Sequence, residues 1–384
     1  MRRDLQSAFA GLAILGVALG IGRFALTPLL PLMQVDAGLS LLAGGWLASM
    51  NNLGYLVGAM LCTALALPQR NTLRTALVLS GLLTLGMGLT GSTPAWLTLR
   101  FLSGVVSAAL VIHGIAFALA RLQPDGPRVL EALVFTGTGV GIVFCGLLVG
   151  ILHPFGMASA EAWEGFGVTS LLTAAVIWRV LGFPANSHAS SVPNHLPQAP
   201  SGPVWSLLLA YGLIGFGYVI PAVFLPLIAQ QHLHIPGLRE VFWPIYGLAT
   251  IAVTLVLPWL PARIGNRSAL GLCCTSIILG ELLCLFWPTL PGLTLGTVLI
   301  GGMTMPIVLL VMREARLLVH PDPTRLIAGL TAFFSIGQIV GPLLAAWLAG
   351  RYHSFAAPLA LAAAALVLAL GLTRVRNHAA RCTT

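Results

Sequence analysis

Residues 15–34 read LGVALGIGRFALTPLLPLMQ. The stretch is long and apolar enough to cross a bilayer, since ~20 residues rising ~1.5 Å each span the hydrocarbon. It is nevertheless no plain anchor. Gly20 and Gly22 loosen its middle, Arg23 puts a cation near mid-depth, and Pro28 and Pro31 remove backbone donors from its second half. The outline returns further along as YGLIGFGYVIPAVFLPLIA, where Gly215, Gly217 and Pro226 stand 195 positions after Gly20, Gly22 and Pro31, and Tyr218 replaces Arg23. Two interrupted helices at corresponding places in two halves point to the binding site of a transporter.

The composition agrees with a chain solvated by lipid. Hydrophobic residues make up 58% and charged residues 8% of the 384 positions, with a mean hydropathy of +0.96. A water-soluble domain carries about 25% charged residues. The net charge of +9 would suggest nucleic acid in a soluble protein, but these cations sit at the ends of apolar runs, so no nucleic-acid partner is expected. The basic residues are all arginine, which we read as codon bias. Cys62, Cys145, Cys273, Cys274 and Cys284 lie in apolar runs without ligand spacing, and Cys382 lies in the tail, so neither a metal nor a disulfide framework is expected. The start MRRDLQSAFAGLAILG mimics a signal peptide, but its apolar run continues too far and reads as an uncleaved first span.

Twelve hydrophobic segments follow one another, at roughly 8–33, 41–67, 73–92, 94–121, 129–153, 161–182, 204–230, 240–261, 268–287, 292–318, 326–350 and 355–374. The Pro-, Ser- and Asn-rich stretch 183–203 reads as a linker between a bundle at 1–182 and a second at 204–384. Arg2, Arg3, Arg70, Arg74, Arg121, Arg128, Arg179, Arg263, Arg267, Arg313, Arg316, Arg325 and the tail arginines would share one side, against Arg239 and Arg351 on the other. By the positive-inside rule both termini are cytoplasmic. Further landmarks repeat: Pro124-Asp125-Gly126-Pro127-Arg128 matches Pro321-Asp322-Pro323-Thr324-Arg325, and Trp46 matches Trp243. The expected fold is therefore an all-α integral membrane protein of twelve helices in two pseudo-symmetric six-helix bundles.

Several motifs make this arrangement specific. Arg100-Phe101-Leu102-Ser103-Gly104, running on to Ala108, resembles the span-four motif of the major facilitator superfamily, and Gly337-Gln338-Ile339-Val340-Gly341-Pro342 resembles its Gly-Pro motif. The acidic-basic loop motif is absent after the second span, while Ala262-Arg263-Ile264-Gly265-Asn266-Arg267 echoes it after the eighth. Gly20-Ile21-Gly22-Arg23-Phe24, with Thr27-Pro28-Leu29-Leu30-Pro31, resembles the YbfB/YjiJ-like branch of that superfamily. The resemblance implies a monomeric secondary transporter in a bacterial inner membrane. It implies a small-molecule substrate, protons as the coupling ion and no cofactor.

An ionisable residue inside a membrane is a functional candidate by default. Arg23 reads as a clamp for an anion, or else as a structural pair with a neighbouring helix. Arg100 either tunes a nearby acid for proton coupling or snorkels to the outer headgroups. His113 and Glu281, a carboxyl near the middle of the ninth span, are further coupling candidates. Asn51, Asn52 and Gln338 either join helices or contact a ligand, and Tyr55, Tyr211, Tyr218, Tyr246, Phe333 and Phe334 could line a mixed cavity. Asp125, Arg128, Arg263, Arg267, Arg313, Glu314, Asp322 and Arg325 fall at inner loop ends and read as a cytoplasmic gate. An integral-membrane enzyme acting on lipid-linked substrates is the rival class, but no nucleophile–base pair stands at catalytic spacing. No phosphate-binding loop occurs, which leaves proton-coupled transport or facilitated diffusion.

Overall fold

The computed structural model describes residues 2–65, 68–122, 128–182, 202–233, 239–256, 260–319 and 323–373. Its helices are α1 (Arg2–Leu15), α2 (Leu26–Asp36), α3 (Leu41–Ala64), α4 (Gln69–Gly88), α5 (Thr93–Leu119), α6 (Arg128–Leu152), α7 (Ser159–Ile177), α8 (Gly202–His232), α9 (Phe242–Val256), α10 (Leu260–Ile264), α11 (Asn266–Phe286), α12 (Leu290–Gly301), α13 (Thr304–Leu318), α14 (Thr324–Tyr352) and α15 (Ala356–Thr373). The first span is α1, a π-helical turn at Gly16–Ile21, and α2. The tenth is α12 followed by α13. With the short α10 set aside, twelve passages result. Eight of them are long and apolar enough to cross a membrane by that measure alone, and α3, α4, α7 and α9 pack among them to complete the set. The linker read at 183–203 lies outside the described residues, except that Gly202 and Pro203 already belong to α8.

Backbone contact sets the packing. A Cβ on Gly20 would collide with the Gly141 backbone, so α6 crosses the first span at glycine-to-glycine distance. A Cβ on Gly337 would likewise strike the Gly212 carbonyl, which brings α14 against α8 in the corresponding place of the second half. The absence of side chains lets the helix backbones touch and gain dispersion contact, the main attraction between helices in lipid. The two bundles meet where α3 packs on α14, α6 on α9 and α2 on α8.

The first span is interrupted as the sequence indicates. The Gly22 N–H bonds the Val17 carbonyl at 2.8 Å and the Phe24 N–H bonds Leu19 at 3.0 Å, each reaching one residue further back than in an α-helix. The seventh span corrects the expectation. Despite Pro221 and Pro226, α8 runs unbroken from Gly202 to His232. A proline withdraws one donor and crowds one carbonyl, but tight packing on α14 keeps the helix in register. An interruption not foreseen lies in the tenth span between Gly301 and Thr304. Pro306 cannot donate to the Gly302 carbonyl, and Thr250 Oγ1 donates to Gly301 O at 2.8 Å, which satisfies the loosened turn from outside.

Candidate functional site

The interruption in the first span exposes carbonyls, and polar groups of neighbouring helices converge on them. Gly22 O accepts from Arg100 Nη1 at 3.0 Å, Ser103 Oγ at 3.1 Å and Asn51 Nδ2 at 3.2 Å. Arg100 Nη2 donates to Arg23 O at 2.9 Å, and Ser107 Oγ to Ala18 O at 2.8 Å. Arg100 is only 2% exposed, so it does not snorkel to headgroups. Its guanidinium is a fixed brace, with carbonyl oxygens in place of a carboxylate.

The brace leaves the next side chain free to face the bundle interface. Arg23 is half-buried. Its Nη2 donates to Asn52 Oδ1 at 2.6 Å and also to Gln338 Oε1, which reaches it from the other bundle. Gln338 Nε2 in turn donates to the Tyr218 hydroxyl. Tyr218 thus lies opposite Arg23, with Gln338 between them. The Arg23 guanidinium carbon is 5.0 Å from the Tyr55 ring centroid, within cation–π range. Beyond Tyr218, Phe334 stacks between two tyrosines, 5.5 Å from Tyr218 and 4.3 Å from Tyr211 by ring centroids. Tyr55, Phe333 and Phe334 keep part of their surface accessible.

The other candidates are more dispersed. Asn51 is buried and its amide N–H also reaches Arg100 O at 3.1 Å, so it braces helices. Tyr246 is buried with its hydroxyl 2.6 Å from Thr304 Oγ1, beside the break in the tenth span. His113 is half-buried in α5, with Nε2 lacking a hydrogen-bond partner among the described residues. Glu281 is fully buried in α11, and neither carboxyl oxygen has a partner there. Among the residues read as a gate, Arg267 Nε meets Glu314 Oε1 at 2.6 Å and Asn266 Nδ2 meets Glu314 Oε2 at 2.8 Å. Both contacts stay within the C-terminal bundle and join nothing across the interface. Arg263, Arg313 and Arg325 are exposed. Asp125, Asp322 and the Arg128 side chain lie outside the described residues. Thr27 entered the sequence reading only as part of a motif and Ser49 not at all, although both bond across the bundles.

Several hydrogen bonds among the described residues cross the interface, from midspan outward to the side away from the N-terminus. Arg23 and Asn52 meet Gln338 near midspan, while Ser49 Oγ donates to Ile339 O at 2.7 Å and Thr27 Oγ1 to Ala222 O at 2.9 Å, further from the N-terminus. Phe24 and Trp243 add an edge-to-face contact at 6.1 Å.

Three solved structures share this fold with the chain. The chain is similar to an aspartate-to-alanine variant of the nucleoside transporter NupG, with a TM-score of 0.76 at 14% identity over 96% of this chain and 98% of that one. NupG without that change gives 0.73 at 14% identity, over 98% and 100%. The human organic anion transporter MFSD10 (TETRAN) gives 0.63 at 16% identity, over 97% and 99%. None of the curated proteins compared with the chain matches it. The family model described as "Uncharacterised MFS-type transporter YbfB" matches residues 15–374. With that match spanning nearly its whole length, the chain belongs to this family of multi-pass membrane transporters in the major facilitator superfamily, and not to a family of enzymes.

Proposed function

We propose that the chain is a secondary active transporter that carries a small organic anion by alternating access, coupled to protons. The observation that carries this reading is the partnership of Arg23. Its guanidinium lies within the span, beside partly accessible aromatic rings, and its side-chain partners are carboxamide oxygens. A half-buried cation whose side-chain partners are neutral acceptors is poorly compensated, so a ligand carboxylate would gain a charge-assisted, two-pronged contact. Arg100 is already engaged by carbonyls. One available cation matches a monoanion better than a dianion.

The arginine asymmetry supports cytoplasmic termini in a bacterial inner membrane, and the level of the crossing bonds then supports a site open to the cytoplasm. For proton coupling, Glu281 is the favoured group because a fully buried carboxyl with no partner among the described residues is retained in lipid only at a cost. Ligand-induced thermal shifts of the purified protein test the site. Across a panel of organic acids, amino acids, sugars and cations, the stabilising compounds should be monoanions. Arg23→Ala and Arg23→Lys should lose that stabilisation, because lysine keeps the charge but lacks the planar fork. Equal shifts in native protein and in folded Arg23→Ala would remove the clamp.

A further inference from the structure

Two prolines of the C-terminal bundle free a carbonyl at the interface, and in both cases a side chain of the other bundle takes the place of the missing donor. Pro226 has no N–H to give to Ala222 O four residues earlier, and Ala222 O accepts from Thr27 Oγ1 at 2.9 Å. Pro342 has none to give to Gln338 O, and Gln338 O accepts from Asn52 Nδ2 at 2.8 Å. Ser49 Oγ takes the next carbonyl, Ile339 O, at 2.7 Å. Thr27 and Asn52 are buried, as is Gln338, so water does not compete for these acceptors in this conformation.

The Thr27 contact also has a direction. Thr27 and Ala222 are 195 residues apart, the offset that relates Gly20 to Gly215 and Pro31 to Pro226. The bond therefore joins equivalent positions of the two halves. Pro31 frees Thr27 O in the same way, but Ala222 has no hydroxyl with which to return the contact. One half of the repeat supplies the donor and the other supplies the exposed acceptor.

We propose that Thr27 and Asn52 are positioning residues for transport, latching the bundles from midspan to the side away from the N-terminus by capping the carbonyls freed by Pro226 and Pro342. A carbonyl left without its helical donor binds a donor from outside more readily than one already bonded within its helix. When the bundles rock apart, water can replace both caps, so the latch opens without breaking a helix. Gln338 ties the latch to the site, because its backbone is held by Asn52 while its side chain is held by Arg23. A ligand that draws Arg23 away loosens one attachment of the same residue. This inference rests on the alternating-access reading, but its test needs no substrate.

The test is hydrogen–deuterium exchange on the purified full-length protein, in a two-by-two set of native, Thr27→Val, Pro226→Ala and the double variant. Thr27→Val keeps the shape and removes the donor, and Pro226→Ala restores an N–H within the helix. In the native background, Thr27→Val should speed exchange several-fold in peptides covering 26–36 and 222–232, with slower exchange in peptides covering 2–15 and 204–212. In the Pro226→Ala background the same change should alter exchange less than twofold. Thr27→Ser, which keeps the hydroxyl, should match the native protein. Unchanged exchange in Thr27→Val, an equal effect in both backgrounds, or faster exchange at both ends alike would each overturn the latch. None of those results would bear on whether Arg23 binds an anion.

Discussion

At the scale of single residues, the two membrane-embedded arginines divide the work by what they donate to. Arg100 holds backbone carbonyls of the interrupted first span, and Arg23 holds side-chain oxygens that a ligand could replace. Removing the brace leaves the Arg23 carbonyl without its side-chain donor, while Gly22 O keeps Ser103 and Asn51. Ser107→Ala, which removes one interhelical bond, should cost about 1 kcal/mol. Arg100→Met should cost more and appear as a lower Tm and reduced folded yield, since it removes bonds to two carbonyls and leaves that of Arg23 without a side-chain donor. A stability of Arg100→Met equal to that of Ser107→Ala would show that the brace adds nothing beyond one ordinary contact. Tyr218 reaches Arg23 only through Gln338. Tyr218→Phe should therefore weaken ligand binding less than Gln338→Leu, as read by the same thermal shifts.

At the scale of helices, proline marks an interruption only where nothing else holds the backbone in register. The sequence shows the interruption of the first span plainly, because Gly20, Gly22, Pro28 and Pro31 fall together there. The same signature in the seventh span misleads, since α8 absorbs Pro221 and Pro226 as it packs along α14. The interruption at Gly301–Thr304 was legible only in Gly301-Gly302 and Pro306, an ordinary combination in an apolar run, and needed Thr250 from another helix to complete it. Gly137, Gly141, Gly337 and Gly341 sit where backbones touch, so Gly141→Ala should block close approach to the first span and lower folded yield sharply. Gly371, which has open space around it, is the control, and Gly371→Ala should leave yield unchanged.

At the scale of the whole molecule, twelve spans in two halves follow from hydropathy and internal repetition, because lipid demands long apolar helices whatever the solute. The candidate site was legible in part. Arg23 and Tyr218 stand out by composition, but their link through Gln338 depends on a contact across more than three hundred residues that no local pattern encodes. The brace role of Arg100 was hidden for the same reason. Glu281 lies buried in the second bundle, with no hydrogen-bond partner among the described residues. Glu281→Gln should abolish uphill accumulation while downhill exchange continues, and unimpaired accumulation would exclude it as the coupling acid. The most direct test of the account is uptake of a stabilising organic monoanion by proteoliposomes of the native protein under an imposed proton gradient. The account predicts accumulation of the chemically intact anion above its external concentration, lost on adding a protonophore and absent with Arg23→Ala. Accumulation that persists after the pH gradient and membrane potential are both gone, or that survives Arg23→Ala, would contradict it.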